Sequence, residues 1–534
     1  MSLEYRWLPH LEGAIPVAGQ GKRISTYTVA LEGWRRGLEL KFYSMFEDGN
    51  KLKIRYSLAN GDKIHHFSLS MGDYVTEEAF EICDDKDMTK QYLSRHNVPV
   101  PQGSMFGIDQ SDEEIIEYSL SLDFPLVVKP TDGNAGKGVF ANIRSEKELR
   151  EIIPYVRKEL GFDNIIVERF VAGEEFRIYV IEDKVLGAMN RRPANVTGDG
   201  VQTIRQLIHE KNDMRKLNPH LTSRLIKIDR EIEVLLEEKE YDLNSIPKYG
   251  EVVYLREKSN LSTGGESVDV TDALTDEIKE IAINAGKAIP GLKHYGVDMI
   301  VSDDRKEGVI LEVNTRPGLG GHLFPGEGKP RDFAKEIIDY YFPETKDIER
   351  TTLYFDFDSV LEPIKSRVTT NVDIVKPPLG KLYGKKYIID GEFNRREFRR
   401  YVRRQAHKNH MYGYTEIAED DSVIIVVVSL KEKLFTRFEN KIQNNFTCEI
   451  IEKLDWDKPI KMGFESVDNL NLTKREIRDL LNENEKLVKE NEVLTKRYTQ
   501  IITSRAWKAT YPTRTLFHGV KTLTRKIRGT NNDN

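Results

Sequence analysis

Apolar positions recur at helical spacing from Thr28 to Leu38, and Lys41-Phe-Tyr-Ser-Met-Phe46 then reads as a strand. Lys51–Tyr56 and His65–Leu69 flank Ala59-Asn-Gly-Asp62, which predicts a hairpin. A helix opens in Asp84-Asp-Lys-Asp-Met-Thr-Lys90 and must close before Val98-Pro-Val-Pro101, where proline cannot continue it. Strands are expected at 124–130, at 165–180 as two halves with a short link, at 295–301 and at 309–314. Farther on, the pattern runs strand (from Lys385), helix (Arg400–Asn409), two strands ending in Val423–Ser429, helix (Lys431–Gln443), strand. That order predicts a ferredoxin-like sandwich. From Ile477 to Ile501, through Leu480, Leu487, Leu494 and Tyr498, apolar and amide residues alternate at spacings of three and four.

A chain of 534 residues holds several domains. Its 81 Lys and Arg against 87 Asp and Glu argue against a nucleic-acid partner, and two cysteines (Cys83, Cys448) exclude a disulfide framework. No stretch is long and apolar enough for a membrane span, so the expected location is cytoplasmic. Six segments are expected: an N-terminal α/β segment (1–85), a nucleotide-binding domain (86–345), a linker (346–380), the ferredoxin-like domain (381–465), a coiled coil (466–502) and a basic tail (503–534). Gly19-Gln-Gly-Lys-Arg23 lacks the ending of a phosphate loop and reads as a turn, and 1–85 offers no chemistry.

The candidate chemistry gathers at Val309-Ile-Leu-Glu-Val-Asn-Thr-Arg-Pro-Gly318. Residues two apart on a strand share a face, so Glu312 and Asn314 aim two oxygen ligands at one point, and Asp298 on the preceding strand can add a third. Two carboxylates and an amide suit Mg²⁺, which shares its other sites with water and phosphate. Arg316, just beyond, can hold a transferring phosphoryl group or an anionic substrate. Upstream, Thr131-Asp-Gly-Asn-Ala-Gly-Lys-Gly138 follows a strand, so Gly133, Gly136 and Gly138 can turn backbone N–H groups toward phosphate while Lys129 adds a point charge; a tight hairpin has the same pattern. Extended backbone at Phe170 and Val171, beside Glu168, can read an adenine edge, and Glu175 can accept from ribose hydroxyls; a polar hairpin connection is the plainer alternative.

Taken together, Val-Val-Lys-Pro130, Asp132-Gly-Asn-Ala-Gly-Lys-Gly138, Val167-Glu-Arg-Phe170, Arg192-Pro-Ala-Asn-Val-Thr-Gly-Asp-Gly200, Asn260-Leu-Ser-Thr-Gly-Gly265, Tyr295-Gly-Val-Asp298, Glu312-Val-Asn-Thr-Arg-Pro-Gly318 and His322-Leu-Phe-Pro-Gly-Glu-Gly-Lys-Pro330 resemble the ATP-grasp superfamily, in its branch of cyanophycin synthetases and bifunctional glutathione synthetases. The resemblance covers about half the chain, from Asp84 to about Pro343. It implies an α+β fold in which two subdomains clamp ATP. Lys86 and Lys129 would hold phosphates under the Gly133–Gly138 loop, and Glu168, Phe170, Val171 and Glu175 would hold adenosine. Asp298, Glu312 and Asn314 would bind one or two Mg²⁺, with Mn²⁺ as a substitute. Arg316 and Arg177 would be catalytic, and Arg191, Arg192, Asn260 and Ser262 would meet the substrate. The implied reaction joins a carboxylate to an amine through an acyl phosphate. The further domains of either branch are missing from this chain, so their substrates do not carry over.

Thr352-Leu-Tyr-Phe-Asp-Phe-Asp-Ser-Val360 contains an Asp-x-Asp but lacks room for the phosphatase domain such a motif needs, and reads as strand or linker. The ferredoxin-like part resembles acylphosphatase over about eighty residues, with the phosphate-loop arginine at Arg399. The loop glycine is replaced by Arg395 and the water-positioning asparagine by Ile417, so a degenerate domain is expected.

In 466–502, leucine at d with Asn484 and Asn491 at a favours a parallel two-stranded coil and hence a homodimer; a single amphipathic helix packed on its own domain fits as well. The tail carries Arg505, Lys508, Arg514, Lys521, Arg525, Lys526 and Arg528 against Asp533, which suits peripheral contact with an anionic membrane or a disordered end. The expected function is an ATP-dependent carboxylate–amine ligase acting on an amino acid, peptide or cell-envelope precursor. The rival is an idle nucleotide-binding scaffold that recruits envelope-polysaccharide synthesis partners.

Overall fold

A computed structural model describes residues 7–47, 51–131 and 138–467. The expected coiled coil (but for its first two residues) and the basic tail lie outside the described residues, as do Gly133 and Gly136. Among the described residues no helix is long and apolar enough to cross a membrane.

Near the N-terminus the helix Ile24–Arg35 is buried along all twelve residues, because its helical apolar pattern is covered on every side. It begins four residues before the expected Thr28. The strands Glu39–Glu47, Lys51–Asn60 and Lys63–Ser68 follow, with Asn60 paired to Lys63 across the Gly61 turn, where a positive φ favours glycine.

The expected linker 346–380 is a correction. It folds as the strand Leu353–Tyr354, the helix Phe357–Lys365 and the strand Asn371–Ile374, which adds to the N-terminal sheet with Val372 opposite Phe42. The reason is its apolar content. Phe355 and Phe357 pack on Tyr27 at ring-centroid distances of 5.0 and 5.3 Å, and Phe355 also meets Trp34 and Phe42. The Asp-x-Asp is neither strand nor linker but a helix start: Asp356 caps the helix by accepting from the Asp358 N–H.

Two sheets frame residues 86–345. One has five strands in the spatial order Glu266–Asp269, Lys184–Arg192, Glu174–Ile181, His294–Val301, Gly308–Asn314. The other has four, ordered Gly103–Phe106, Ile165–Arg169, Leu126–Pro130, Phe140–Ile143. An insertion between the strands Lys184–Arg192 and Glu266–Asp269 builds a small core of its own around Ile204, Ile208, Ile232 and Leu236.

The C-terminal described part is the expected ferredoxin-like sandwich. Its strands lie in the order Cys448–Asp455, Tyr383–Gly391, Val423–Ser429, Tyr412–Ile417, with Phe464–Val467 added at the edge. The first helix spans Arg395–Lys408, starting five residues before the expected Arg400 because Asn394 caps it. The run Val423–Ser429 is apolar at nearly every position because both faces are covered. Val423, Ile425 and Val427 face the two helices, while Val426 and Val428 enter the core shared with Tyr27, Trp34 and Phe355.

Phe355→Ala is expected to lower stability by about 3–5 kcal/mol, the usual cost of emptying a buried aromatic site. Denaturant unfolding checks this, and an unchanged midpoint would mean that 353–364 is not part of the core.

Candidate functional site

Strand register assembles the site on one face of the five-stranded sheet. Asp298 lies opposite Arg177 on one side and Glu312 on the other, and Gly296 lies opposite Asn314. Arg177 Nε and Nη2 each donate to Asp298 at 2.6 Å, and Arg191 reaches the same carboxylate at 3.4 Å. Burial alone would raise the pKa of Asp298, but the two guanidinium groups outweigh it and hold the carboxyl below its usual range. Arg191 also donates to Glu175 at 2.7 Å, and the Ser259 hydroxyl donates to the other Glu175 oxygen at 2.6 Å. The carboxylate expected at a ribose is therefore engaged on both oxygens, because Arg191 stands on the next strand.

The four-stranded sheet contributes a second charge cluster. Glu168 is buried and takes Lys129 Nζ at 2.5 Å and Lys90 Nζ at 3.0 Å. Burial again opposes ionisation, and the two lysines overcome it, so the Glu168 carboxyl lies below its usual range. Lys90 also donates to the Gly103 carbonyl at 3.2 Å. Lys90 is absent from the expected set, although its spacing of four from Lys86 on one helix put it on the same face.

Between the sheets lies a narrow pocket. Leu93, Val100, Pro101, Ile166 and Ile310 give it apolar walls, and Lys86, Lys90, Lys129, Glu168 and Glu312 its polar ones. It adjoins a wider cleft lined by Asp85, Lys86, Thr131, Glu312, Asn314 and Arg316. Arg316 stacks its guanidinium over Phe80, 4.6 Å from the ring centroid. Gly138 ends the glycine loop at a φ of 75°, where a Cβ would press on Pro130 and Phe162. The Phe170 N–H is taken by the Pro125 carbonyl at 2.9 Å, and Val171 beside it is half-buried.

Glu312 and Asn314 fit a hard divalent cation. Both are oxygen donors on one strand face at the cleft, and the Asn314 side-chain nitrogen is buried with no partner. Asp298 accepts one Arg177 hydrogen bond on each oxygen, and a carboxylate has further lone pairs with which to join a metal. Among the described residues no group of three or more His, Cys, Asp or Glu is arranged to hold a metal by itself.

The remaining expected residues line neither the pocket nor the cleft. Arg192 pairs with Glu327 at 2.9 Å. Asn260 is half-buried and accepts from the Gly265 N–H at 2.9 Å, while Ser262 is exposed on the same turn. The loop after Asn314 is pinned from outside the two sheets, by the Ser70 hydroxyl donating to the Pro317 carbonyl at 2.8 Å and by Ser25 Oγ accepting from the Leu319 N–H at 3.0 Å. No sequence signal marks these two serines.

Residues 83–319 match the ATP-grasp domain family. The ATP-grasp match spans both sheets and the strand that carries Glu312 and Asn314, and residues 385–465 match the acylphosphatase family. Over 330 residues the chain is 36% identical to cyanophycin synthetase of Trichormus variabilis, a span of 60% of this chain and 35% of that protein. Over 332 residues it is 33% identical to the glutathione biosynthesis bifunctional protein GshAB of Clostridium perfringens, covering 60% and 41%. The crystal structure of a bifunctional glutathione synthetase from Pasteurella multocida aligns at 27% identity and a TM-score of 0.44, covering 54% of this chain and 40% of that one. The chain thus spans about two-fifths or less of the curated relatives it matches.

The acylphosphatase-like domain is degenerate at its loop. Arg395 donates to the Gly391 carbonyl at 2.9 Å and pairs with Asp390 and Asp421, and Asn394 caps the helix by accepting from the Glu397 N–H. Arg399 is buried and donates to Thr415 at 3.2 Å.

Lys90→Met is expected to move the acid limb of the stability curve to higher pH. Glu168, opposed by Lys129 alone, then takes up a proton at a higher pH, and the stability its charged form supplies is lost sooner as pH falls. Thermal unfolding across the acidic range checks this, and identical curves for both proteins would remove Lys90 from the charge balance.

Proposed function

We propose that the chain is an ATP-dependent ligase that joins a carboxylate to an amine through an acyl phosphate. The observation that carries this reading is one pocket and its adjoining cleft, lined by Lys86, Lys129, Glu168, Glu312, Asn314 and Arg316 from four separate stretches of the chain. The apolar walls and Glu168 suit adenine, whose amino group a carboxylate can accept from, and Lys86 and Lys129 offset the charge of the phosphates.

In the reaction so proposed, a substrate carboxylate oxygen attacks the γ-phosphorus, ADP leaves, and an amine then displaces phosphate to form the amide. Arg316 and Arg177 hold the carboxylate and the moving phosphoryl group in line, and positioning supplies most of the rate. Glu312, Asn314 and Asp298 would hold a Mg²⁺ ion, which would neutralise charge on the γ-phosphoryl group. Arg191, Arg192, Asn260 and Ser262 meet an amino acid or peptide carboxylate. That substrate class is supported by the arginines and by relatives named for glutathione and cyanophycin synthesis. The proposal extends to a homodimer through 466–502 and a basic tail that rests on an anionic membrane.

Glu312→Gln is expected to leave unfolding unchanged and to lower ADP release by roughly a hundredfold or more, since it removes one charge from a phosphate-bridging site. Wild-type turnover in this variant would remove the metal assignment, and nucleotide binding without turnover by the wild type over a panel of amino acids, short peptides and uronic acids would favour the idle scaffold.

The acylphosphatase-like domain is expected to release no phosphate from a simple acyl phosphate above background, and Ile417→Asn is expected not to restore release because Arg395 still replaces the loop glycine. Hydrolysis by the full chain that Arg399→Ala abolishes would revive the domain as an editing site.

A further inference from the structure

The helix Arg395–Lys408 carries six arginines and one lysine against a single acid, Glu397, in a chain whose net charge is −6. Phe398, Val402 and Ala406 bury one face against the sheet. On the opposite face Arg396, Arg400, Arg404 and Lys408 stand four residues apart in one row, with Arg403 beside them, and all five are exposed. At about 1.5 Å of rise per residue, the row places a cation roughly every 6 Å. None of the five makes a hydrogen bond or ion pair among the described residues, unlike Arg395 and Arg399 on the same helix. The neighbouring helix Lys433–Gln443 extends the pattern, with Lys433 and Arg437 exposed on its outer side.

A solvated charged face ordinarily mixes signs, because like charges four apart destabilise a helix. Here the repulsion is repeated along the whole row. The face is also broad rather than grooved: two helices lie side by side, linked by Lys441 Nζ donating to Gln405 and the Tyr401 hydroxyl donating to the Lys441 carbonyl. It offers no exposed aromatic ring to stack a base, and the other side of the sheet is closed by Val426 and Val428 in the shared core. A cationic, non-inserting face on an otherwise acidic protein complements a plane of negative charge better than a nucleic-acid strand.

We propose that the two-helix face of the acylphosphatase-like domain docks on an anionic membrane surface, with the row Arg396, Arg400, Arg404 and Lys408 as its centre. Contact is electrostatic, so it weakens with salt, and the face binds lipid headgroup charge without burying apolar side chains. This does not rest on the ligase reading.

The test sediments the full chain with phosphatidylcholine vesicles and with vesicles holding about 30% phosphatidylglycerol, at about 0.1 and about 0.5 M NaCl. Wild type is expected to pellet with anionic vesicles at low salt only. The variant carrying Arg396→Gln, Arg400→Gln, Arg404→Gln and Lys408→Gln should partition at least about fiftyfold less, since each cation near such a surface is worth roughly fivefold. The tail's own basic residues are present in both proteins and give the same background. The quadruple variant should melt at or above the wild-type temperature because the like-charge row is relieved, and replacing the three arginines by lysine should retain binding. Equal partitioning of wild type and the glutamine variant would overturn the proposal, as would binding to neutral vesicles or loss of binding in the lysine variant. Retention on a soluble linear polyanion that the glutamine variant loses, with no vesicle binding by either protein, would also overturn it and assign the face to such chains.

Discussion

The central sheet is constrained by one buried carboxylate. Asp298 is almost fully enclosed, and an enclosed charge is tolerated only when it is paired and hydrogen-bonded. Arg177 and Arg191 meet that requirement from the two strands on one side, and Glu312 faces it from the other. A slip of one residue in any of these strands would turn the charge into the apolar layer of Val297, Met299 and Ile178. The electrostatics that place the site therefore also specify the register of the sheet beneath it.

Much of this was readable from the chain because it depends on local periods. Glu312 and Asn314 share a face through the two-residue repeat of a strand, the Asn60-Gly61 turn fixes a hairpin, and the order of elements after Lys385 predicts the sandwich. What was not readable depends on contacts between distant residues. Leu353, Phe355 and Phe357 look like an apolar stretch in a linker until Tyr27, Trp34 and Phe42 are beside them. Lys90 has no evident role until its helix folds back on Gly103 and Glu168. Glu175 reads as a free carboxylate until Arg191 arrives from the next strand and Ser259 from the end of the insertion.

The same distant contacts give the chemically silent N-terminal segment a mechanical place. Ser25 and Ser70 hold the backbone of the loop that follows Asn314, so the arginine-bearing end of the cleft is braced by residues outside the ATP-grasp match. The acylphosphatase-like domain is joined in turn through Val426 and Val428. The N-terminal segment, the loop after Asn314 and one face of the C-terminal sheet share one apolar interior, and a change in any of them reaches the others through packing.

That shared interior has a consequence for how the chain is made. The helix Ile24–Arg35 is buried on every side, yet Tyr27 finds its hydrogen-bond partner Phe355 328 residues later. At roughly 5–20 residues per second, a ribosome takes roughly 16–66 s to supply that partner, and longer to supply Val426 and Val428. Throughout that interval a helix that is buried in the folded chain lacks part of its native cover. The helix is synthesised well before the residues that cover it, so the nascent chain depends on whatever shields that helix in the meantime.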